Sequence, residues 1–83
     1  MKNVTVLYFA AIRDLAGAAS ESLTLPVQVR TVGEFVNYLG ERRSVLKTAL
    51  GAVRIARNET FVTLAEPVET GDVLAIIPPV QGG

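Results

Sequence analysis

The chain has 83 residues, of which 49% are hydrophobic, and its eight basic residues are balanced by eight acidic residues. This length suits one small domain with a buried core, and the lack of any basic cluster argues against nucleic acid as a partner. The absence of cysteine and histidine excludes disulfides, thiolate nucleophiles, imidazole bases and the usual zinc ligands.

The first 25 residues predict two strands that flank a short helix. Residues 4–9, VTVLYF, have the pattern of a strand whose side chains point alternately to two faces. Residues 10–17, AAIRDLAG, predict a short helix that is ended by Gly17. Residues 19–25, ASESLTL, alternate as in a half-exposed strand, which Pro26 ends.

The clearest helix signal begins at Thr31. Thr31 and Glu34 form a T-x-x-E capping box, in which each side chain satisfies a backbone N–H of the first turn. We expect Gly40 to end or interrupt this helix, and a second short helix to run over residues 44–50 and stop at Gly51. An apolar stripe at helical spacing defines the buried face of the main helix: Val32, Phe35, Val36 and Leu39.

The remaining residues predict three strands. Residues 53–57 and 60–64 are joined by a turn at 58–59, and the nearly all-apolar run 73–77 follows a turn at 69–72. Because the first and last strands are both apolar, we expect them to lie side by side and parallel, with the main helix in the connection between them. The predicted fold is α+β: a β-grasp with a mixed sheet of about five strands packed on one main helix plus short helices.

The sequence identifies no catalytic side chains. The acidic residues are scattered without the spacing of an acid–base pair, and the serines lack a histidine partner. The glycines form no phosphate-binding loop, and Gly71–Asp72 is typical of a turn rather than of a metal site. We therefore expect no metal site and no cofactor bound by this chain.

Side-chain direction in the first strand predicts an apolar outer face. If the main helix covers the face that holds Tyr8, then Leu7 and Phe9 point outward, beside Ala75 and Ile77 of the last strand. Such a patch on so small a domain indicates a protein interface, unless residues 40–57 cover it as a second layer. By residue type alone, the aromatic core candidates are Tyr8, Phe9, Phe35 and Phe61.

The chain finishes as IIPPVQGG. We divide it into a domain of residues 1–77 and an extended tail of residues 78–83, because two prolines favour an extended exit from the last strand. The four residues after Pro79 can reach about 13 Å further. The α-carboxylate of Gly83 is ionised and a poor electrophile at neutral pH, so chemistry there requires activation by another protein, most simply as an acyl-adenylate.

The segments YFAAIRDLAG, ARNETFV and ETGDVLAIIPPVQGG resemble the MoaD-type small subunits of molybdopterin synthase, within the ubiquitin-like MoaD/ThiS family. The resemblance runs nearly end to end, and PPVQGG after a Gly-Asp turn and an apolar strand is its most specific part. It implies a ubiquitin-like fold and a sulfur carrier in molybdenum cofactor biosynthesis, which holds sulfur as a C-terminal thiocarboxylate.

The resemblance also implies partners. A MoeB-type, E1-like enzyme adenylates Gly83 with ATP, a sulfur donor converts the adenylate to the thiocarboxylate, and a MoaE-type large subunit transfers the sulfur to cyclic pyranopterin monophosphate. The isolated chain is then no enzyme but the sulfur-donating subunit of a heterotetrameric sulfurtransferase. It would be cytoplasmic and bind no membrane, in keeping with an N-terminus that lacks signal-peptide features.

The same resemblance implies roles for individual residues of the tail and of the sheet. The tail would enter a channel of the large subunit, with Gln81 and Gly82 inside it, and its base would be formed by Pro78, Pro79 and Val80. Phe9, Arg13 and Ile77 match positions near the subunit interface, to which the outer-face argument adds Leu7 and Ala75.

Two residues of this chain depart from the family pattern, and the sequence also leaves three other functions open besides the molybdopterin synthase subunit. Ile77 stands where phenylalanine is frequent before the two prolines, and Arg57 stands where an apolar residue is common. A ThiS-type carrier for thiamin thiazole synthesis would share the tail chemistry, although such carriers are usually shorter. A modifier conjugated to lysines would form isopeptide-linked adducts, whereas a β-grasp interaction module with an inert tail would not be adenylated.

Overall fold

The computed structural model describes residues 1–79, which form one five-stranded sheet packed on its helical side by two α-helices and two 3₁₀ helices. In chain order the elements are β1 (Lys2–Tyr8), α1 (Ala10–Ala16), β2 (Ser20–Leu25), α2 (Val32–Arg42), the 3₁₀ helices Ser44–Leu46 and Ala49–Ala52, β3 (Arg54–Arg57), β4 (Thr60–Val62) and β5 (Val73–Ile77). None of the helices within residues 1–79 is long and apolar enough to cross a membrane.

The strand order in the sheet is β2-β1-β5-β3-β4. β1 and β5 are parallel neighbours, with Leu7 opposite Ala75 and Tyr8 opposite Ile76, and the other three strand pairs are antiparallel. A parallel pair requires a long crossover connection, and α2 lies in that connection. The predicted β-grasp, with the first and last strands side by side, is therefore confirmed.

The core lies between the sheet and α2. Tyr8, Ile76 and their inward neighbours are buried because alternate residues of β1 and β5 point to the helical side. Phe35 and Leu39, one turn apart on α2, are fully buried against them. Other members of this core are Val6, Ile12, Leu25, Val32, Leu46, Val68 and Leu74.

The predicted capping box of α2 is present. The Thr31 hydroxyl accepts a hydrogen bond from the Glu34 N–H at 3.2 Å, and the Glu34 carboxylate accepts one from the Thr31 N–H at 3.1 Å. The expected end at Gly40 is wrong, since α2 continues to Arg42. A Cβ at Gly40 would lie 3.6 Å from atoms of Lys47 and of Leu50, so the glycine sits under the following segment while the helix continues through it.

Two further boundaries differ from the sequence prediction. Instead of one helix over residues 44–50, two 3₁₀ helices form, because the amides of Lys47 and Gly51 bond to carbonyls three residues earlier; Gly51 lies inside the second one. β4 ends at Val62 rather than at Leu64. The carbonyl of Leu64 instead accepts the Gly33 N–H at 2.9 Å, which satisfies one of the first amides of α2.

Loss of the capping box should destabilise the fold measurably. We expect Thr31→Ala to lower the free energy of unfolding by about 1 kcal/mol, because one N-terminal amide of α2 loses its side-chain acceptor. Thr48→Ala is the matched control, since Thr48 precedes the second 3₁₀ helix without making a side-chain cap bond. Urea denaturation monitored by circular dichroism checks this, and equal midpoints for the two variants would contradict the assigned role.

Candidate functional site

The face of the sheet opposite the helices carries a row of paired residues that crosses all five strands and is apolar on four of them. Paired residues in this row are Ser20, Leu7, Ala75, Ala56 and Phe61. Leu7 is half-buried and Phe61 is 51% exposed. Ala56 and Ala75, which have small side chains and lie between them in the row, are buried. Together with Phe9 and Ile77 we call Leu7, Ala56, Phe61 and Ala75 the outer patch.

Residues 40–57 do not cover the outer patch. The two 3₁₀ helices of this segment insert Leu46 and Leu50 into the core on the helical side, and the first of them packs against α1 and α2. The outward face of β1 and β5 is therefore left open within the described part of the chain. This outcome favours the interface interpretation over a second covering layer.

The structure brings the five predicted interface residues to one region. Leu7, Ala75 and Ile77 point outward from adjacent parallel strands. Phe9 precedes α1 in extended conformation and is 45% exposed, so its assignment to the core is wrong and its assignment to the outer face is supported. Arg13 is exposed one turn further along α1, where its N–H bonds to the Phe9 carbonyl.

Phe61 is an outer-patch residue that the sequence analysis placed in the core. It lies opposite Ala56 on an edge strand, and half of its surface is exposed because no helix covers that side. Ile55 belongs to the core, so the next residue of β3, Ala56, faces the other side of the sheet, and its strand partner Phe61 shares that face. Applying that register to the β3–β4 hairpin would have found it.

The base of the tail leaves the sheet beside the outer patch. Ile77 is the last residue of β5 and pairs with Arg54, Pro78 is half-buried, and Pro79 is exposed. Proline offers no N–H for a further ladder bond, which ends the strand here. The remaining predicted tail residues lie outside the described residues: Val80, Gln81, Gly82 and Gly83.

Asp72 anchors the beginning of β5. Its buried carboxylate accepts hydrogen bonds from Arg57 Nε at 2.6 Å, from Asn58 Nδ2 at 2.9 Å and from the Glu69 N–H at 2.7 Å. Burial raises the pKa of this carboxyl, but the donors outweigh it and hold the pKa below its usual value. Arg57, which departs from the family pattern, is thus engaged by the chain's own carboxylate.

A second ionic cluster joins β1, β2 and the end of α2. Arg43 holds the Glu21 carboxylate through two hydrogen bonds of 2.7 and 3.0 Å, and the Tyr8 hydroxyl donates to the same carboxylate. The bonds from Arg43 lower the pKa of Glu21, while burial raises the pKa of Tyr8 above its ordinary value. Because these groups satisfy one another, we assign the cluster to fold stability rather than to acid–base chemistry.

Two adjoining hollows lie on the helical side, between α2, the second 3₁₀ helix and the β3–β4 hairpin. Their volumes are about 460 and 400 Å³, and Val36, Asn37, Leu50 and Gly51 line both. They contain none of the predicted site residues. Within residues 1–79, no three carboxylates gather into a group that could hold a metal ion.

Comparison with known proteins agrees with this geometry. Residues 6–83 match the model of the ThiS family, which covers nearly the whole chain. The chain belongs to the ThiS family. A curated relative, the molybdopterin synthase sulfur carrier subunit of Drosophila melanogaster, is 35% identical to this ThiS-family chain, and the match covers 98% of the chain and 91% of the relative.

Two solved structures resemble this ThiS-family member closely. The complex of subunits 1 and 2 of the molybdopterin-converting factor from Helicobacter pylori contains a chain with a TM-score of 0.70 and 27% identity, covering 98% of this chain and 99% of that one. SAMP1 from Haloferax volcanii has a TM-score of 0.84 and 25% identity, covering 98% and 99%. The β-grasp fold is shared by all three.

Protonation of Asp72 should weaken the fold. A carboxyl whose pKa is lowered by folding adds stability above its unfolded pKa of about 3.9, and that stability is lost as the pH falls through the folded value. We expect Asp72→Asn to cost about 1–3 kcal/mol at pH 7 and to flatten the decline in unfolding free energy below about pH 4.

The control for Asp72→Asn is Glu59→Gln, in the exposed β3–β4 turn. Urea unfolding measured from pH 7 to about pH 2.5 gives, for each variant, the stability at pH 7 and the slope of its decline in acid. An acid decline in the Asp72→Asn variant as steep as that of the wild type would contradict the assigned role of this carboxylate.

Proposed function

We propose that this chain is the sulfur carrier subunit of a molybdopterin synthase, and that its Gly83 carries the sulfur. The observation that supports this most directly is the near full-length match, at 35% identity, to a molybdopterin synthase sulfur carrier subunit. The geometry agrees, because the tail base leaves β5 directly beside an open apolar patch suited to a protein partner.

The proposed cycle uses the chain's terminal carboxylate and the catalytic groups of its partners. The Gly83 carboxylate attacks the α-phosphate of ATP on a MoeB-type activating enzyme, and pyrophosphate leaves. Sulfide from a donor then attacks the carbonyl carbon, so that a C–S bond forms, the mixed anhydride breaks and AMP leaves. The thiocarboxylate donates its sulfur to cyclic pyranopterin monophosphate, and hydrolysis returns the carboxylate. The chain itself holds no cofactor, and we place it in the cytoplasm, where ATP is supplied.

The outer patch is the proposed docking surface for a MoaE-type large subunit. Leu7, Phe9, Phe61 and Ile77 provide apolar contact area, while Arg13 lies exposed at its margin. An apolar centre with a polar rim is the usual anatomy of a protein interface. Docking on this face would carry the base of the tail, Pro78 and Pro79, toward the partner.

A lysine-directed modifier is the second candidate, and the likeness to SAMP1 favours it. It would use the same activation of Gly83 but a lysine amine in place of sulfide and pterin. A ThiS-type carrier of thiamin thiazole synthesis is a third, because the matching family carries that name. The acceptor of the activated carboxyl group therefore distinguishes the candidates.

Chemistry at Gly83 requires a free terminus of correct length. We expect deletion of Gly83, or addition of one residue after it, to abolish product formation without lowering the melting temperature, because the tail base already lies outside the sheet. Intact mass after incubation with activating enzyme, ATP and inorganic sulfide should show one oxygen replaced by sulfur in the wild type only.

The thiocarboxylated wild type is then mixed with the large subunit and cyclic pyranopterin monophosphate, and dithiolene formation is followed. An unaltered mass would argue for the inert interaction module. Thiocarboxylate that forms but transfers its sulfur only in thiazole synthesis would argue for the ThiS-type carrier, and isopeptide-linked adducts would argue for the modifier.

The outer patch should be needed for binding but not for folding. We expect Phe9→Glu to weaken binding to the large subunit at least about tenfold, because a charge would be buried without a partner. Val45→Glu, at a 57% exposed apolar position on the helical side, should leave the affinity unchanged. Calorimetric titration and thermal melting measure the two properties; a Phe9→Glu variant that binds as wild type would contradict this docking surface.

A further inference from the structure

Arg54 occupies a distinctive place at the edge of the outer patch. It is exposed, it pairs with Ile77 at the end of β5, and so it lies next to the base of the tail. Its guanidinium carbon is 3.9 Å from the centroid of the Phe61 ring, a close cation–π arrangement between diagonal neighbours on β3 and β4. The charge of Arg54 is therefore held on the outer face at one defined position.

Within residues 1–79, no carboxylate lies within ion-pair distance of this arginine. Arg43 and Arg57 each contact an internal carboxylate, at 2.7 and 2.6 Å, whereas Arg54 forms no ion pair within residues 1–79. The outward positions of the five strands carry apolar, hydroxyl or amide side chains besides Arg54. Among the described residues, the outer face thus presents a positive charge beside the tail base that no carboxylate on the same face neutralises.

A guanidinium stacked on a ring keeps its N–H edge available. The planar fork of arginine matches the two oxygens of a carboxylate, and stacking restricts the side chain before any partner arrives. A restricted side chain loses less entropy on binding than a free one. Because it is stacked on Phe61, Arg54 is preorganised to bind a carboxylate at the rim of an apolar interface.

We propose that the Arg54–Phe61 pair is a specificity determinant that binds an aspartate or glutamate side chain of the large subunit, beside the point where the tail leaves the sheet. This inference rests on the proposed function, since it assumes that the large subunit docks on the outer patch. The occupant is that subunit because its interface must be continuous with the tail that it receives.

The test measures the affinity of the large subunit for the full-length chain by calorimetric titration. Arg54→Met keeps a long apolar side chain beside Phe61 but removes the charge, and should raise Kd about tenfold, which is about 1.4 kcal/mol. Arg54→Glu should raise Kd further. Arg30→Glu, an exposed arginine before α2, changes the net charge equally and should alter Kd less than about twofold.

A charge-swap experiment identifies the acidic residue of the large subunit that binds Arg54. Each acidic residue at the large subunit's interface is changed in turn to arginine, and one such change should restore binding of the Arg54→Glu chain while weakening that of the wild type. Equal affinities for the Arg54 and Arg30 variants, with wild-type binding intact, would overturn the proposal but leave the proposed function standing. A wild-type chain that does not bind the large subunit would instead overturn the proposed function.

Discussion

The parallel pairing of β1 with β5 is the constraint on which the rest of the structure depends. These strands come from opposite ends of the described chain, and every other element lies in the connection between them. A parallel neighbour requires a crossover, so α2 must pass over one face of the sheet and the opposite face is left uncovered. The core on one side and the outer patch on the other are two consequences of this single arrangement.

Ionic contacts fix that arrangement at its two ends. Asp72 ties the start of β5 to the β3–β4 turn, and Glu21 with Arg43 ties β1 and β2 to the end of α2. Both carboxylates are satisfied by donors within the fold, so neither is available to a ligand. The position of Ile77, and with it the tail base, is set by the pairing of Ile77 with Arg54 at the other end of β5.

Sequence reasoning succeeded where local chemistry decides the structure. The capping box at Thr31 and the alternation of β1 predicted α2 and the outward direction of Leu7 correctly, because these depend on neighbours in sequence. It failed at Gly40, which is packed under the segment that follows α2, and at Phe61, whose face follows from the register of the β3–β4 hairpin and not from residue type. The Arg54–Phe61 contact requires the same hairpin register and, in addition, a sheet face that no helix covers, which only the structure shows.

The late position of β5 in the chain also shapes how the protein is made. In a nascent chain that ends before residue 73, β1 can pair only with β2 and β3 only with β4, so two separate strand pairs leave exposed backbone edges. The sheet can close only once β5 has been synthesised and inserted between them. Products that end before residue 73 therefore lack the strand that joins the two pairs into one sheet and that buries Leu74 and Ile76 in the core.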